Sequence, residues 1–280
     1  MNLLFDIGGT KTRLAVSRDS REFDTPKIFE TPKDFSEGIQ KFKLHALELL
    51  GGGSISAIAG GIAGPLNKAK TGLVNSPHLP DWAGHELTHE LERIFAVPVY
   101  LENDSAVVGL GEAMYGAGTG SPIVAYMTVS TGVGGVRIVN GKIDANTFGF
   151  EPGHQIIDAG GVLGVPGTGE GRLEEFVSGS AIENRFHKLP IEMTDPDVCD
   201  ELARMFAIGL HNTILHWSPD TVVLGGSLIT GSVITPTSIR KHLLAIMKIF
   251  TESPHIREAT LGDLGGLWGS LELIRQKSLG

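Results

Sequence analysis

The stretch Leu3-Leu4-Phe5-Asp6-Ile7-Gly8-Gly9-Thr10-Lys11-Thr12-Arg13-Leu14-Ala15-Val16-Ser17 decides the reading of this chain. An apolar run leads into Asp6, two glycines and Thr10 follow, and a second apolar run begins at Arg13. That pattern predicts a β-hairpin with a glycine turn. Two adjacent glycines remove both Cβ atoms, so backbone N–H groups can approach an anion. Thr10 adds a hydroxyl, Lys11 a positive charge, and Asp6 a carboxylate where the strand ends, a place to handle a metal ion beside phosphates. An ordinary hairpin with a polar turn is the competing reading.

The plan recurs at Tyr126–Val139 as YMTVSTGVGGVRIV, where a strand runs into Thr131-Gly132-Val133-Gly134-Gly135 and out again. Two glycine hairpins, each opening an α/β half, predict a duplicated fold that faces a nucleotide from both sides. At 280 residues and 41% hydrophobic content there is enough chain for two cores. The net charge of −9 and the lack of a basic run exclude a nucleic-acid surface of the usual kind. A single cysteine, Cys199, excludes an internal disulfide and a cysteine-based zinc site. No signal peptide and no membrane-length apolar run is visible, so the expectation is a soluble cytoplasmic protein with no membrane partner.

Along the chain, Asp34 caps a predicted helix whose apolar face is Phe35, Ile39, Phe42, Ala46, Leu49 and Leu50, stopped by Gly51-Gly52-Gly53. Ile55–Ile62 reads as a buried strand, ending in the turn Gly64-Pro65-Leu66-Asn67. A helix over about 85–95 and a strand over 97–101 place Glu102-Asn103-Asp104 at a strand's C-terminal end, where open α/β sheets bind ligands. Asp104 opens a helix over 104–115, so helix N-cap is one reading; a base that accepts a hydroxyl proton is the other. Helices are further expected from 178, over 195–217, over 238–250 and over 261–276, and Gly225-Gly226-Ser227 ends the strand TVVLGGS.

DIGGT (6–10), STGVGG (130–135) and VVLGGSL (222–228) together resemble the two phosphate loops and the adenosine loop of the sugar kinase/actin/Hsp70 ATPase fold, and within it the ROK family, from residue 3 to about 270. The resemblance implies an α/β protein of two ribonuclease-H-like (actin/hexokinase-type) domains flanking a cleft: 1–117 with a returning helix at 263–280, and 118–262. It implies ATP and Mg²⁺, with Asp6, Gly8, Gly9, Thr10, Lys11, Thr131, Gly132, Gly134, Gly135, Gly225 and Gly226 around the nucleotide and Asp6 near the magnesium. It also implies Asp104 as general base of an in-line phosphoryl transfer to a hexose. Gly64, Asn67, His78, Asn103, Asp104, Glu151, His154 and Glu174 are then the sugar-site residues, with Glu175 an alternative to Glu174.

Four departures from the family pattern stand out, the last of them the largest. His78 and Asp81 replace an Asn and a Gly in S-P-N-L-P-G-W; Ser105-Ala106-Val107 replaces A-N-A; and Phe150 precedes Glu151-Pro152-Gly153-His154. The zinc motif C-x-C-G-x-x-G-C-x-E aligns with Val165 to Glu174, so all three cysteines are lost, to Val165, Gly167 and Arg172. No zinc is therefore expected, and glycine turns, a proline and an ion pair through Arg172 are left to hold the loop. Glucose is the first-choice substrate; fructose, N-acetylglucosamine and N-acetylmannosamine are alternatives. A non-catalytic sugar sensor and a chaperone- or actin-type ATPase are further readings, and the family's habit adds an expected homodimer.

Overall fold

The computed structural model describes residues 1–163 and 169–278. They divide into two compact units: Met1–Tyr115 with Ala145–Gly149 and Leu261–Gly280, and Gly116–Asp144 with Phe150–Thr260. The chain crosses at Tyr115/Gly116 rather than Gly118, and the short excursion 145–149 back into the first unit has no signature in the sequence.

In the first unit, β1 (Asn2–Ile7), β2 (Lys11–Ser17) and β3 (Lys27–Glu30) form an antiparallel meander. Helix α1 (Phe35–Leu50) follows, then β4 (Ala57–Ile62), α2 (Leu87–Phe95), β5 (Val99–Asn103) and α3 (Asp104–Tyr115). The sheet order is β3-β2-β1-β4-β5, with β4 and β5 parallel to β1. Asp34 caps α1 as the sequence predicts, its Oδ1 accepting from the Glu37 N–H at 2.8 Å, and Gly51 ends it in the left-handed region.

The second unit repeats this topology. The meander β6 (Ile123–Val129), β7 (Val133–Val139) and β8 (Lys142–Ile143) leads to α4 (Leu173–Val177), α5 (Gly179–Phe186) and α6 (Pro196–Trp217). Strand β9 (Thr221–Gly225), α7 (Ser227–Thr230), α8 (Pro236–Ile246) and β10 (His255–Glu258) complete it. The order β10-β9-β6-β7-β8 mirrors the first sheet, with β9 parallel to β6. The helix expected over 238–250 starts earlier, at Pro236 behind the Thr235 cap, and stops at Ile246. Ile239 and Leu243 are buried along it, whereas Ile249 and Phe250 are exposed, so the apolar stripe that would extend it is missing.

Helix α9 (Gly265–Ser278) then closes the first unit against α3 and β1. A Cβ on Gly269 would lie 1.7 Å from the Val107 carbonyl oxygen, so glycine sets how near α9 comes to α3. Each unit has its own core, around Phe5, Phe42 and Trp82 in the first and Met127, Met205 and Phe206 in the second. No helix among the described residues is long and apolar enough to cross a membrane.

Candidate active site

The first glycine turn closes by the Gly8 N–H donating to the Lys11 carbonyl at 2.9 Å, with Gly9 and Thr10 at its tip. A two-residue turn fixes the register: Ile7 pairs with Thr12, and the next pair is Asp6 opposite Arg13. Arg13 Nη1 lies 3.3 Å from Asp6 Oδ2, and its Nη2 lies 3.4 Å from the exposed Asp263 carboxylate. Asp6 is only 15% exposed. Burial raises its pKa to about 6; Arg13 opposes the rise, and the charges of Asp104 and Asp263 add to it. The predicted residues Asp6 and Asp104 are thus brought into one electrostatic cluster. Arg13 and Asp263 belong to it and sequence reading missed both. Arg13 was legible, since any two-residue turn at Gly9-Thr10 sets it across from Asp6. Asp263 comes from the other end of the chain and leaves no local signal.

Gly8 is less available to phosphate than expected, because its N–H is committed to the hairpin and its carbonyl accepts from Thr31 Oγ1 at 2.8 Å. Thr10 and Lys11 are exposed at the turn. His78 is packed on Gly9, where an added Cβ would fall 2.5 Å from His78 Cβ. Lys33 binds both, its Nζ donating to the Gly9 carbonyl at 2.9 Å and the His78 carbonyl at 3.0 Å. Trp82 holds the far end of the His78 loop through Nε1–H to the Pro32 carbonyl at 3.0 Å.

At the end of β5 the helix cap is Asn103, not Asp104. Asn103 Oδ1 accepts from the N–H groups of Ser105 (3.0 Å) and Ala106 (3.3 Å), while its Nδ2 donates to the Gly64 carbonyl at 3.1 Å. Asn103, predicted as a sugar ligand, has its amide engaged in holding Gly64 and the start of α3. Asp104 Oδ1 accepts from the Ser105 N–H at 2.7 Å, so the carboxylate is oriented at the helix N-terminus. Asn67 closes its own loop through Thr71, with contacts of 2.7 Å to Oγ1 and 2.9 Å to N–H.

In the second unit, Thr131 and Gly132 sit at the tip of the β6–β7 hairpin. The N-terminus of α5 supports them: Gly179 N–H donates to Ser130 O at 2.7 Å and Ser180 N–H to Thr131 O at 3.2 Å. Ser130 Oγ lies 3.3 Å from Ser227 Oγ, which joins this loop to Gly225-Gly226-Ser227. Gly134 and Gly135 lie within the β7 ladder rather than at the tip. A Cβ on Gly135 would come within 2.9 Å of Pro152 Cγ, and one on Gly153 within 2.2 Å of the Val133 carbonyl, so Gly135 seats the Glu151-to-His154 turn on β7. His154 Nε2 is 3.5 Å from Glu174 Oε1, and Glu174 Oε2 is 3.5 Å from the Cβ position of Gly132. Burial raises the Glu151 pKa, with His154 opposing and Glu174 adding. The candidate sugar residues Glu151, His154 and Glu174 therefore adjoin Gly132.

The donor set does not fit zinc. Two of the positions that replace cysteines, Val165 and Gly167, lie outside the described residues, and Arg172 pairs with Glu170. Cys199, the chain's one cysteine, lies on α6, and among the described residues no three His, Cys, Asp or Glu side chains are placed so that they could hold a metal ion. Asp6 is a hard oxygen donor with the negative charges of Asp104 and Asp263 within electrostatic range. That suits a magnesium ion which takes its other ligands from water and phosphate.

A family model described as ROK family matches residues 3–277. The chain belongs to the ROK family. It is 29% identical to an N-acetyl-D-glucosamine kinase of Escherichia coli O139:H28, over 95% of this chain and 96% of that one. Among solved structures, the ROK hexokinase of Thermus thermophilus superposes with a TM-score of 0.82 at 28% identity, covering 99% of both chains. A ROK family glucokinase from Streptomyces griseus, solved with glucose and AMPPNP, gives a TM-score of 0.79 at 25% identity, covering 98% of this chain and 99% of its own. The two five-stranded mixed sheets are the ROK sugar kinase fold.

Proposed function

We propose that this ROK protein is an ATP-dependent kinase of a hexose hydroxyl, with glucose as first-choice substrate and N-acetylglucosamine next. The observation that carries this reading is Asp104. Its carboxylate is oriented at the start of α3, within electrostatic range of Asp6 and the first glycine turn. A sugar hydroxyl is a weak nucleophile at neutral pH, and a carboxylate that accepts its proton as the phosphoryl group transfers activates and aligns it.

Thr10, Lys11 and the Gly9 amide receive phosphate oxygens in the first unit. Thr131 and Gly132 do so in the second, with Gly225-Gly226 alongside the adenosine. Asp6 would hold Mg²⁺, which neutralises charge on the phosphates when bound. Glu151, His154 and Glu174 take sugar hydroxyls, and His78 shapes the rim beside Gly9. Catalysis in the cytoplasm follows from the same reading, since ATP and free hexoses meet there.

ADP release with MgATP is to be measured against a panel of hexoses and N-acetylhexosamines, with Asp104→Asn alongside. The expected result is sugar-dependent release that falls by about 10²–10⁴-fold in the variant. An Asp104→Asn protein that keeps most of its sugar-dependent activity overturns the assignment.

A further inference from the structure

Glu174 and His154 must be held in place, and the zinc and three cysteines that the family motif implies for this task are missing here. We propose that Glu175 is the replacement: a positioning residue whose carboxylate anchors the backbone at 170–172 and thereby aims Glu174 at His154. The inference rests on the sugar-kinase reading for its functional consequence.

Glu175 Oε2 accepts from the Gly171 N–H at 2.9 Å and the Arg172 N–H at 3.2 Å, and its Oε1 from the Glu170 N–H at 3.4 Å. These donors lie just ahead of α4, so the Glu175 side chain folds back from the first turn of α4 onto the backbone that leads into it. The anchored residues are the ones that matter for the site. Arg172 stands at the position of the family's third cysteine, and Leu173 and Glu174 follow it directly.

The same segment is tied to the strand-like stretch after His154. Ile157 N–H donates to Gly171 O at 2.8 Å, Ile156 bridges to Arg172, and Leu173 N–H donates to Gln155 O at 2.9 Å. One carboxylate therefore fixes where the chain enters α4, and with it the 3.5 Å approach of Glu174 to His154. Glu175, not Glu174, is turned back on the backbone, which leaves Glu174 as the carboxylate facing the site.

The test compares Glu175→Ala and Glu175→Gln with the parent protein by steady-state kinetics, thermal melting and amide hydrogen exchange. Glu175→Ala is expected to raise KM for the sugar at least tenfold, to leave KM for ATP within about twofold, and to speed exchange at Gly171 and Arg172 at least tenfold. Glu175→Gln retains an acceptor oxygen and is expected to recover most of the sugar KM. The inference is overturned by a parent-like sugar KM in Glu175→Ala. A Gln variant as impaired as the Ala variant, or a parallel rise of both KM values with a lowered Tm, overturns it as well. If the parent shows no sugar-dependent ADP release, the kinase reading fails by itself, and exchange at 171 and 172 still decides the anchor.

Discussion

The two glycine hairpins are built on one plan and differ in charge. Each stands in the same place of a five-stranded sheet with the same order and directions. One pair below the last rung, the first hairpin sets Asp6 opposite Arg13, beside Gly61 of β4. The matching positions of the second are Thr128, Gly134 and Gly225. A carboxylate–guanidinium pair in one half corresponds to a hydroxyl and a glycine in the other. The shared backbone makes the same turn twice, and the side chains make the two turns different. On the function proposed above, the acids of the first half would handle metal and proton, while the second places neutral groups at the matching positions.

The largest expected effect in this comparison is at Asp6. Asp6→Asn removes the charged group that the second hairpin lacks, and kcat/KM for MgATP is expected to fall by at least 100-fold. In the parent, the raised pKa of about 6 predicts that kcat/KM for MgATP declines as the pH falls below 6, as Asp6 takes up a proton. Stability runs the other way. The folded state holds this proton more tightly than an unfolded chain with the ordinary value of 3.8, so Asp6 makes the protein less stable as pH rises from about 4 to 6. The loss amounts to about 3 kcal/mol, and Asp6→Asn abolishes it. Denaturant melts of both proteins at pH 4, 5, 6 and 7 check this; a parent curve parallel to that of Asp6→Asn would show that the first hairpin does not carry the strained charge.

The second hairpin is expected to be sensitive to shape instead. Gly226 has φ of 90° in the left-handed half of the map, and a Cβ there would lie 2.2 Å from the Val129 carbonyl oxygen. Gly226→Ala should cost about 3 kcal/mol in stability. Gly132→Ala, whose Cβ meets only Glu174 Oε2 at 3.5 Å, should stay within about 0.5 kcal/mol of the parent. Urea melts of the pair test whether the Gly225-Gly226-Ser227 loop is positioned by packing on β6. Equal stabilities would remove that distinction.

Much of this architecture was legible because it is written locally. The hairpins follow from glycines between apolar runs, and the start of α3 at Asp104 follows from where strand periodicity stops. The cap of α1 follows from Asp34 and Glu37. What escaped the sequence depends on contacts between distant segments. That Asn103 caps α3 through its Oδ1 and also ties down the Gly64 carbonyl, 39 positions away, through its Nδ2 has no local signal. Asp263 reaches Arg13 only because α9 returns to β1. Glu174 and Glu175 are indistinguishable as letters; the backbone N–H groups of 170–172 tell them apart.

The smallest expected effect concerns how the two turns are held. The second is supported by main-chain donors, Gly179 and Ser180 at the start of α5, which no side-chain substitution removes. The first has one main-chain donor, the Thr31 N–H to the Thr10 carbonyl at 2.9 Å, a hydroxyl bond from Thr31 to the Gly8 carbonyl, and in addition one exposed ammonium, Lys33, bonded to the carbonyls of Gly9 and His78. A hydrogen bond from a charged donor is worth more than a neutral one, but exposure to water and salt takes back most of the gain, leaving about 1 kcal/mol. Lys33→Met is therefore expected to raise KM about fivefold, for MgATP through Gly9 and for the sugar through His78, with little change in kcat. The parent's two KM values should rise with added salt, and those of Lys33→Met should rise less. A variant that kept the parent's KM values and the parent's salt response would mean that Thr31 and the packing of His78 on Gly9 hold the first turn without the ammonium. The two hairpins would then differ in charge alone, and not in how they are clamped.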